Sequence, residues 1–390
     1  MNHSASNSSV PSVVVASVDQ MRENIRRKGK LKGRQADDVS LEEVRALVGE
    51  APHRRDLLIE HLHKLNDAYR CLHDRHLVAL AKEMKLPMAE VFEVATFYHH
   101  FEVVRGDDAA PGLTVRVCDG LSCELSGAKQ LIEKLPALLG NADVRVISAP
   151  CVGRCEQAPV AVVHQNPVPH ATPELVVAAV AAKQTHQAMT EHVDFDAYVA
   201  DGGYRLVADL HNGKSDTEQV LKAMEDSGLR GLGGAGFPAG RKWRIVREQP
   251  APRLMAVNID EGEPGTFKDR TYLERDPHRF LEGLLVAAHV VGIDSVYIYL
   301  RDEYHGCREL LTQALAHLQA NPPCPLPHIE LRRGAGAYIC GEESAMIESI
   351  EGKRGEPRMR PPYIAQVGLF GRPTLEHNFE TLYWVRDIVQ

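Results

Sequence analysis

The spacing of apolar residues predicts a helical region near the start of the chain. From Leu41 onward, apolar residues recur every three or four positions, which is the period of a helix with one buried face. Ser40 and Glu43 fit a capping box for the first helix, and Pro87 suits the first turn of the fourth. We therefore expect a bundle of four helices over residues 38–110.

A second region begins near residue 111, where the period of the apolar residues drops to two. Strands are predicted at Leu113–Cys118, Val144–Ser148 and Val160–His164, with helices between and after them. This pattern indicates a small α/β domain over residues 111–185. Residues 186–215 are expected to form a linker.

The last region, residues 216–390, alternates between helices and strands. Strands are predicted at Leu254–Ile259, Ser295–Leu300 and Ile329–Arg332, and helices separate them. Such alternation predicts a mostly parallel sheet with both faces covered. The fold class predicted for the whole chain is therefore multidomain α/β.

Composition and charge narrow the class of protein. With 44% apolar and 25% charged residues, the 390-residue chain has the composition of a soluble globular protein, and no apolar run is long enough to insert into a membrane. The net charge of −8 argues against a nucleic-acid partner. Residues 1–37 are polar and then basic, which favours a disordered, solvated arm over a nucleic-acid or lipid site. Without a secretory signal, we expect a cytoplasmic location.

Four of the eight cysteines form two close pairs, each placed where a strand is predicted to end. The pairs are Cys118-x4-Cys123 and Cys151-x3-Cys155. Four thiolates on neighbouring loops can hold a [2Fe–2S] cluster or a tetrahedral zinc ion. The spacing is looser than that of a typical zinc knuckle and favours the iron–sulfur cluster, with zinc and unliganded thiols as the alternatives.

A glycine-rich loop is the second chemical signal. Gly231–Gly236 satisfies G-x-G-x-x-G, but a helix at Asp216–Ser227 precedes it, whereas an ordinary Rossmann turn follows a strand. Five glycines between residues 231 and 240 would let a planar or phosphorylated ligand approach backbone N–H groups. Phe237 can stack on a ring and Lys242 can pair with a phosphate. The alternative is a flexible surface turn.

Two further segments support a ligand site. Asn258–Arg270 begins where a strand is predicted to end, which is where an open α/β sheet places its ligands. Arg333–Glu343 places another glycine-rich turn before a helix. Glu342 and Glu343 would repel a phosphate there, so they are better suited to sugar hydroxyls or to the nicotinamide.

The run Glu93–Phe101, followed by the two cysteine pairs, resembles the 24-kDa-type subunit of respiratory NADH dehydrogenase. This resemblance covers about residues 38–185 and implies a helical bundle joined to a thioredoxin-like [2Fe–2S] ferredoxin domain. The metal ligands that it implies are Cys118, Cys123, Cys151 and Cys155.

Three segments after residue 220 resemble the 51-kDa-type flavin subunit of the same complex and the diaphorase subunits of NAD-reducing hydrogenases and NAD-dependent formate dehydrogenases. They are Ser227–Pro238, Glu263–Arg270 and Gly334–Glu343. The resemblance implies a Rossmann-like domain over residues 216–390 that binds FMN and NAD(H). The implied NAD-binding residues are Gly231, Gly233, Gly234, Gly236, Phe237, Gly240, Glu263, Glu343, Arg360 and Tyr363. The implied FMN-binding residues are Lys242, Asn258, Asp260, Glu261, Tyr338, Gly341, Glu342, His377 and Asn378.

Four positions depart from the pattern of these families. Leu232 stands where Arg is usual, Arg360 where Lys is common, and Tyr363 where Phe is usual. His377 replaces the first of two adjacent Asn residues and is expected to alter the contacts or the potential of the flavin. Family members also continue past the matched region with a [4Fe–4S] domain whose cysteines this sequence lacks, which indicates a truncated product or a different route for electrons.

The resemblance implies a diaphorase that exchanges hydride between NAD(H) and FMN and single electrons with iron–sulfur centres, without a catalytic acid–base side chain. Hydrogenase diaphorases with this fusion often lose the N-terminal cysteines. Retention of all four therefore favours a formate dehydrogenase complex, with a hydrogenase or a complex I-like enzyme as the alternative. The expected partner is a catalytic molybdenum or tungsten formate dehydrogenase subunit, or a hydrogenase subunit, with further iron–sulfur centres. A non-catalytic iron–sulfur or zinc assembly subunit is the alternative of another class.

Overall fold

The computed structural model describes residues 33–106, 110–140 and 143–390. The basic arm expected at residues 1–37 lies almost wholly outside the described residues. The predicted bundle is present. Its helices are α1 (Asp38–Val48), α2 (Leu58–Tyr69), α3 (Asp74–Met84) and α4 (Met88–Phe97).

The first helix begins earlier than the predicted capping box. Asp37 is the N-cap, and its carboxylate accepts a hydrogen bond from the Ser40 backbone N–H at 2.8 Å. Glu43 instead accepts hydrogen bonds from Arg75 and His76 of α3. The capping box at Ser40 and Glu43 is therefore wrong, because an aspartate three residues upstream caps the helix and frees the glutamate for a contact between helices.

The second region forms a four-stranded mixed sheet with the order β4-β3-β5-β6. Its strands are β3 (Leu113–Cys118), β4 (Val144–Ala149), β5 (Ala161–Val163) and β6 (Asn166–Val168), and a two-stranded parallel pair, β1 (Leu72–His73) and β2 (Val103–Val104), precedes it. The helices are α5 (Leu121–Leu125), α6 (Ala128–Leu139) and α7 (Pro173–Ala181). The predicted strands and helices of residues 111–185 are thus present.

The segment expected to be a linker, residues 186–215, contains two helices. They are α8 (Phe195–Ala200) and α9 (Arg205–His211). Tyr198, Val207 and Leu210 of these helices are buried in the same core as the C-terminal domain. The expectation of a linker over this whole segment is wrong, because its few apolar side chains lie on two short helices that pack against that domain.

The C-terminal domain has a four-stranded, all-parallel sheet with the order β10-β7-β8-β9. The strands are β7 (Arg253–Ile259), β8 (Ile293–Leu300), β9 (His328–Arg333) and β10 (Thr374–Asn378). The helices are α10 (Thr217–Asp226), α11 (Ala239–Arg247), α12 (Lys268–Arg275), α13 (Pro277–Val291), α14 (His305–Ala320), α15 (Glu343–Ile350), α16 (Phe379–Tyr383) and α17 (Val385–Val389). The chain places β8 and β9 successively on one side of β7 and then returns to place β10 on its other side. This reversal creates a ligand crevice beyond the carboxyl ends of β7 and β10.

The N-terminal bundle covers one face of this parallel sheet. Its apolar side chains form one buried cluster with Leu254, Ala256 and Tyr297 of the sheet. The buried Tyr98 hydroxyl donates to Ser349 Oγ at 2.8 Å and joins the bundle to α15. Helix α13 covers the opposite face, so the sheet is buried on both sides. Among the described residues, no helix is long and apolar enough to span a bilayer.

Candidate functional site: a cysteine quartet and a cavity at the sheet edge

The structure brings the four predicted cysteine ligands together at the ends of β3 and β4. Cys118, Cys123 and Cys151 are buried, and Cys155 is half-buried. The Sγ atoms of Cys151 and Cys155 are 3.5 Å apart, and Cys118 contacts both Cys123 and Cys151. The neighbouring Cys118 thiol and burial raise the pKa of Cys151 far above its usual value. The metal-free thiol is therefore protonated, and metal binding would release its proton.

Backbone N–H groups from two domains point at these sulfurs. The Gly153 N–H donates to Cys151 Sγ at 3.4 Å, and its positive φ of 70° suits glycine. The Gly265 N–H, from the loop after β7, donates to Cys155 Sγ at 3.1 Å. Such N–H···S contacts stabilise thiolate charge and tune the potential of an iron–sulfur cluster. The C-terminal domain therefore contributes directly to the cysteine site.

Among the described residues, one other group of possible ligand atoms lies close together. The ligand atoms of His63, Asp67 and His100 are all within 4.8 Å of one another.

The group of His63, Asp67 and His100 is occupied by protein partners. Asp67 pairs with Arg333 at 2.6 Å, and the Nδ1 atom of His100 pairs with Asp302 at 2.8 Å. Because a guanidinium already neutralises the carboxylate, these residues form a polar contact between domains rather than a metal site.

A second site lies in the crevice beyond β7 and β10. A cavity of about 290 Å³ opens there between the glycine-rich loop and the start of α15. Asn258 of β7 and Asn378 of β10 face each other in the strand register at its floor. The predicted residues that line the cavity are Gly231, Gly233, Gly236, Phe237, Lys242, Asn258, Gly341, Glu342, Glu343, Arg360, His377 and Asn378.

Asn258 and Asp260 fix the backbone at the end of β7. The Asn258 side-chain amide donates to the Gly341 carbonyl at 2.9 Å, and its oxygen accepts from the Asp260 N–H at 2.9 Å. Burial raises the pKa of Asp260 to about 7, and its Oδ2 atom is buried without a hydrogen-bond partner. Asp260 is therefore a buried carboxyl group next to the crevice, and its charged form is disfavoured by burial.

Glu261 anchors the following loop. Its buried carboxylate accepts hydrogen bonds from the N–H groups of Asp269 and Arg270 and from the Tyr304 hydroxyl at 2.9 Å. Glu261 does not line the cavity. These contacts indicate a structural role for Glu261, and its predicted contact with FMN stays a prediction.

Polar side chains on the β10 side of the crevice are held in place by ion pairs. Lys242 contacts the carboxylate of Glu376 at 3.1 Å. Asn378 accepts a hydrogen bond from Lys268 at 3.2 Å and donates to Asp269 at 2.7 Å. Sequence reasoning missed Glu376, which lines the cavity, because the strand that carries it, β10, was not predicted from the sequence.

The opposite wall is formed by the start of α15. Glu342 is the N-cap of this helix, and its carboxylate accepts from the N–H groups of Ser344 and Ala345 at 2.9 Å. Arg360 pairs with Glu342 and, at 2.8 Å, with Glu343. Burial raises the pKa of Glu343. Arg360 therefore offsets the charge of two carboxylates at the mouth of the cavity.

The predicted glycines have different roles. Gly234 and Gly236 have φ values of 104° and 66°, which side chains rarely adopt. A Cβ on Gly233 would lie 3.1 Å from Asn378 Cβ, so the loop approaches β10 closely. A Cβ on Gly240 would lie 2.7 Å from the Glu225 backbone nitrogen. Gly240 therefore lets α11 pack against α10, and its predicted contact with NAD stays a prediction.

Several predicted residues lie outside the cavity lining. Tyr338 is 65% exposed, and its hydroxyl donates to Glu263 at 3.3 Å. Tyr363 is 59% exposed. Glu261 and Gly240, described above, also lie outside the lining. The remaining predicted residues that do not line the cavity are Gly234, Glu263 and Asp260. The predicted contacts of these residues with NAD and FMN stay predictions.

The two sites share a boundary of buried charged contacts. Arg301 donates to the Cys151 carbonyl at 2.5 Å and to the Glu261 carbonyl. Arg270 donates to the Gly153 carbonyl at 3.0 Å and pairs with Glu156. The loop between β7 and α12 thus links the cysteine quartet with the crevice.

Comparisons with protein families agree with both sites. A thioredoxin-like [2Fe-2S] ferredoxin model matches residues 44–184, and a Nuo51 FMN-binding domain model matches residues 224–387. The chain joins a thioredoxin-like [2Fe–2S] ferredoxin to a Nuo51-type FMN-binding domain. The resemblance expected from the sequence is confirmed.

Relatives of this ferredoxin–flavin chain include subunits of two kinds of enzyme. It is 44% identical over 202 residues to a subunit of the NADH-quinone oxidoreductase of Aquifex aeolicus, covering 50% of this chain and 47% of that protein. It is 30% identical over 377 residues to the HoxS subunit alpha of the NAD-reducing hydrogenase of Cupriavidus necator, covering 86% and 62%. The crystal structure of an air-oxidized NAD+-reducing [NiFe]-hydrogenase matches with a TM-score of 0.73 and 33% identity, covering 87% and 62%. The chain spans less than two thirds of the length of these relatives.

The described residues fit both cofactors. Four converging thiols with two N–H donors suit a [2Fe–2S] cluster. The crevice at the reversal of strand order, with a glycine-rich wall, suits the flat ring and phosphate of FMN. NAD(H) is implied by the same families.

Proposed function

We propose that the chain is a diaphorase subunit that oxidises NADH or reduces NAD+. The observation that carries this proposal is the adjacency of the crevice and the cysteine quartet, which share the Glu261–Arg270 loop. Bound FMN can take a hydride from NADH and exchange single electrons with an iron–sulfur cluster. The protein's part is to bind and orient these groups, and the site requires no side chain as a general acid or base.

The residues named above contribute to binding and orientation in different ways. The glycine-rich loop and Phe237, which is 40% exposed, provide an open wall against which a nicotinamide ring can stack. Glu342, Glu343 and Arg360 provide hydrogen-bond partners at the mouth of the cavity. The Gly265 N–H holds Cys155 toward the flavin domain. The assignment of individual residues to NAD or FMN stays a prediction from the family resemblance.

NADH-driven reduction of ferricyanide by the purified chain tests the proposal. We expect turnover that is lost when FMN is removed and recovers when FMN is added back. A folded, cofactor-loaded chain that does not oxidise NADH would instead support a non-catalytic assembly subunit. A colourless chain with one zinc per molecule would exclude the iron–sulfur assignment.

For the partner, we propose the catalytic molybdenum or tungsten subunit of an NAD-dependent formate dehydrogenase, in the cytoplasm. Retention of all four cluster cysteines supports this choice. The 30% identity to a hydrogenase subunit favours a second candidate, an NAD-reducing hydrogenase. Purification of the native complex, followed by NAD+ reduction with formate or with hydrogen, distinguishes them.

A further inference from the structure

A small cavity, separate from the crevice, lies where the helical bundle, the ferredoxin domain and the flavin domain meet. Its volume is about 40 Å³. Its polar lining comes from all three parts of the chain: His99 and His100 follow α4, Arg116 and His164 belong to the ferredoxin domain, and Asp302, Glu303 and His305 belong to the flavin domain. No residue of this lining belongs to the crevice or to the cysteine quartet.

The guanidinium of Arg116 has no carboxylate partner in this cavity. Arg116 lies on β3, is half-buried, and forms neither a hydrogen bond nor an ion pair with any described residue. Burial lowers the pKa of Arg116 despite the nearby Asp302 and Glu303, so these two carboxylates do not offset its desolvation. An arginine nevertheless stays charged at physiological pH. The cavity therefore contains a positive charge that no described side chain neutralises by direct contact.

The two carboxylates of the cavity are already paired with other side chains. Asp302 pairs with three of them, which are His100, Arg308 and Arg333. Glu303 pairs with Arg301 at 3.2 Å. Neither carboxylate is therefore left to pair with Arg116.

The remaining polar groups of the cavity are imidazole rings that can donate hydrogen bonds. His99, His164 and His305 form no hydrogen bond with any described residue. Burial lowers the pKa of His305 to about 3 and also lowers the pKa of His164. These two rings are therefore neutral at pH 7, and each carries one N–H group. An unpaired guanidinium beside such donors suits an anion and repels a cation.

The size of the cavity limits the anion that it can hold. A water molecule needs at least about 10–15 Å³, so a cavity of about 40 Å³ holds a few atoms and excludes nucleotides and phosphate esters. We propose that the cavity binds a small monovalent anion, either chloride or a carboxylate of the size of formate, against Arg116. Since the lining comes from three parts of the chain, the anion also holds the ferredoxin domain against the other two. This inference depends on neither FMN nor NAD(H).

Thermal melting of the full-length chain, as purified with its iron–sulfur cluster, tests this binding. Chloride or formate replaces gluconate, which is too large for the cavity, at constant pH and ionic strength. We expect the melting midpoint of the wild type to rise by about 2 °C, because a ligand that binds only the folded state stabilises it. Arg116→Gln should lose this rise, and Arg116→Lys, which keeps a positive charge, should retain part of it.

Arg145→Gln is the matched control. Arg145 is a half-buried arginine on the neighbouring strand β4 and does not line the cavity, so this variant should keep the full rise. A rise that depends on Arg116 in both salts shows a general site for small anions, and a rise in one salt alone shows which anion binds. Equal rises for the wild type and Arg116→Gln in both salts would overturn the proposal.

Crystallography of the wild-type chain provides a test that needs no variant at Arg116. Crystals grown with bromide in place of chloride should show an anomalous peak in the cavity, beside the guanidinium. Crystals grown with formate should show the carboxylate at the same place if formate gives the rise. A cavity that holds only water in both kinds of crystal would contradict the proposal.

Discussion

Individual residues of the two sites could be predicted from the sequence where the residues that act together lie in one short motif. The two cysteine pairs identify all four sulfurs that converge, because close spacing on loops leaves few other arrangements. Glu261 could not be assigned in this way, since its partner Tyr304 lies 43 positions further along the chain. The hydrogen bond from Trp243 to His377 could not be predicted for the same reason, because the two residues lie on different elements.

The cluster ligands can be tested with a matched pair of cysteines. Cys155 and Cys324 are both half-buried, but only Cys155 belongs to the quartet. We expect Cys155→Ser to lose most of the iron and the cluster absorbance, and Cys324→Ser to retain both. Iron and acid-labile sulfide analysis of anaerobically purified protein measures the difference. Full iron content in Cys155→Ser would refute the ligand assignment.

Asp260 predicts a pH-dependent stability. Burial raises its pKa to about 7 from an ordinary value of 3.8, so the folded state binds its proton more tightly than the unfolded state. The resulting stabilisation is present below pH 4 and is lost as the pH rises through 7. The stability of Asp260→Asn relative to the wild type should therefore increase by about 2–3 kcal/mol in free energy of unfolding from pH 5 to pH 8.

Urea unfolding of the flavin-free chain at both pH values measures this gain. The exposed Asp196→Asn variant is the control for removing a carboxylate elsewhere in the chain. A pH-independent stability difference between Asp260→Asn and the wild type would show that Asp260 ionises normally in the folded chain.

At the scale of elements, periodicity predicted three of the four strands in each sheet and the helices of the bundle, but it did not find β6 or β10. It did not find α11 or α12, because their buried positions are few and charged residues dominate both helices. It also missed α8 and α9, which are six and seven residues long. Such short helices owe their stability to packing in the tertiary structure, which a local pattern does not report.

The packing of α10 against α11 gives a prediction that separates structural from ligand-binding glycines. Gly240→Ala places a Cβ 2.7 Å from the backbone of Glu225 and should cost about 1–3 kcal/mol of stability. Gly231→Ala meets nothing closer than 3.7 Å and should stay within about 0.5 kcal/mol of the wild type. Chemical denaturation of the flavin-free variants compares them. Equal stabilities would show that Gly240 is not a packing residue.

At the scale of the whole molecule, the sequence predicted the order of the domains but not how they share cores. The bundle and the parallel sheet bury one apolar cluster together. The apolar pattern of the bundle and that of the sheet do not show this shared core. A buried strand or helix face has the same sequence pattern whichever domain packs against it. The contacts of the ferredoxin domain with the flavin domain are instead polar and centred on arginines.

Glu274 links the ferredoxin domain to the flavin domain. Its substitution tests how strongly its ion pairs hold the two domains together. Its carboxylate accepts from Arg154 of the ferredoxin domain at 3.2 Å and from Arg270 of α12 at 2.7 Å. Glu274→Gln removes the charge between two largely buried arginines, so we expect proteolysis near residues 186–194 to become about tenfold faster. The exposed Glu309→Gln variant is the control. Unchanged cleavage with Glu274→Gln would show that this ion pair does not hold the domains together.

The central claim is that one chain holds FMN that reacts with NADH beside a [2Fe–2S] cluster held by four cysteines. Anaerobic titration of the purified chain with NADH, followed by absorbance and electron paramagnetic resonance, tests it most directly. We predict one FMN and two irons per chain, flavin bleaching by NADH, and a two-iron signal on reduction that Cys155→Ser abolishes. A folded chain that takes up neither flavin nor iron after reconstitution would contradict the account.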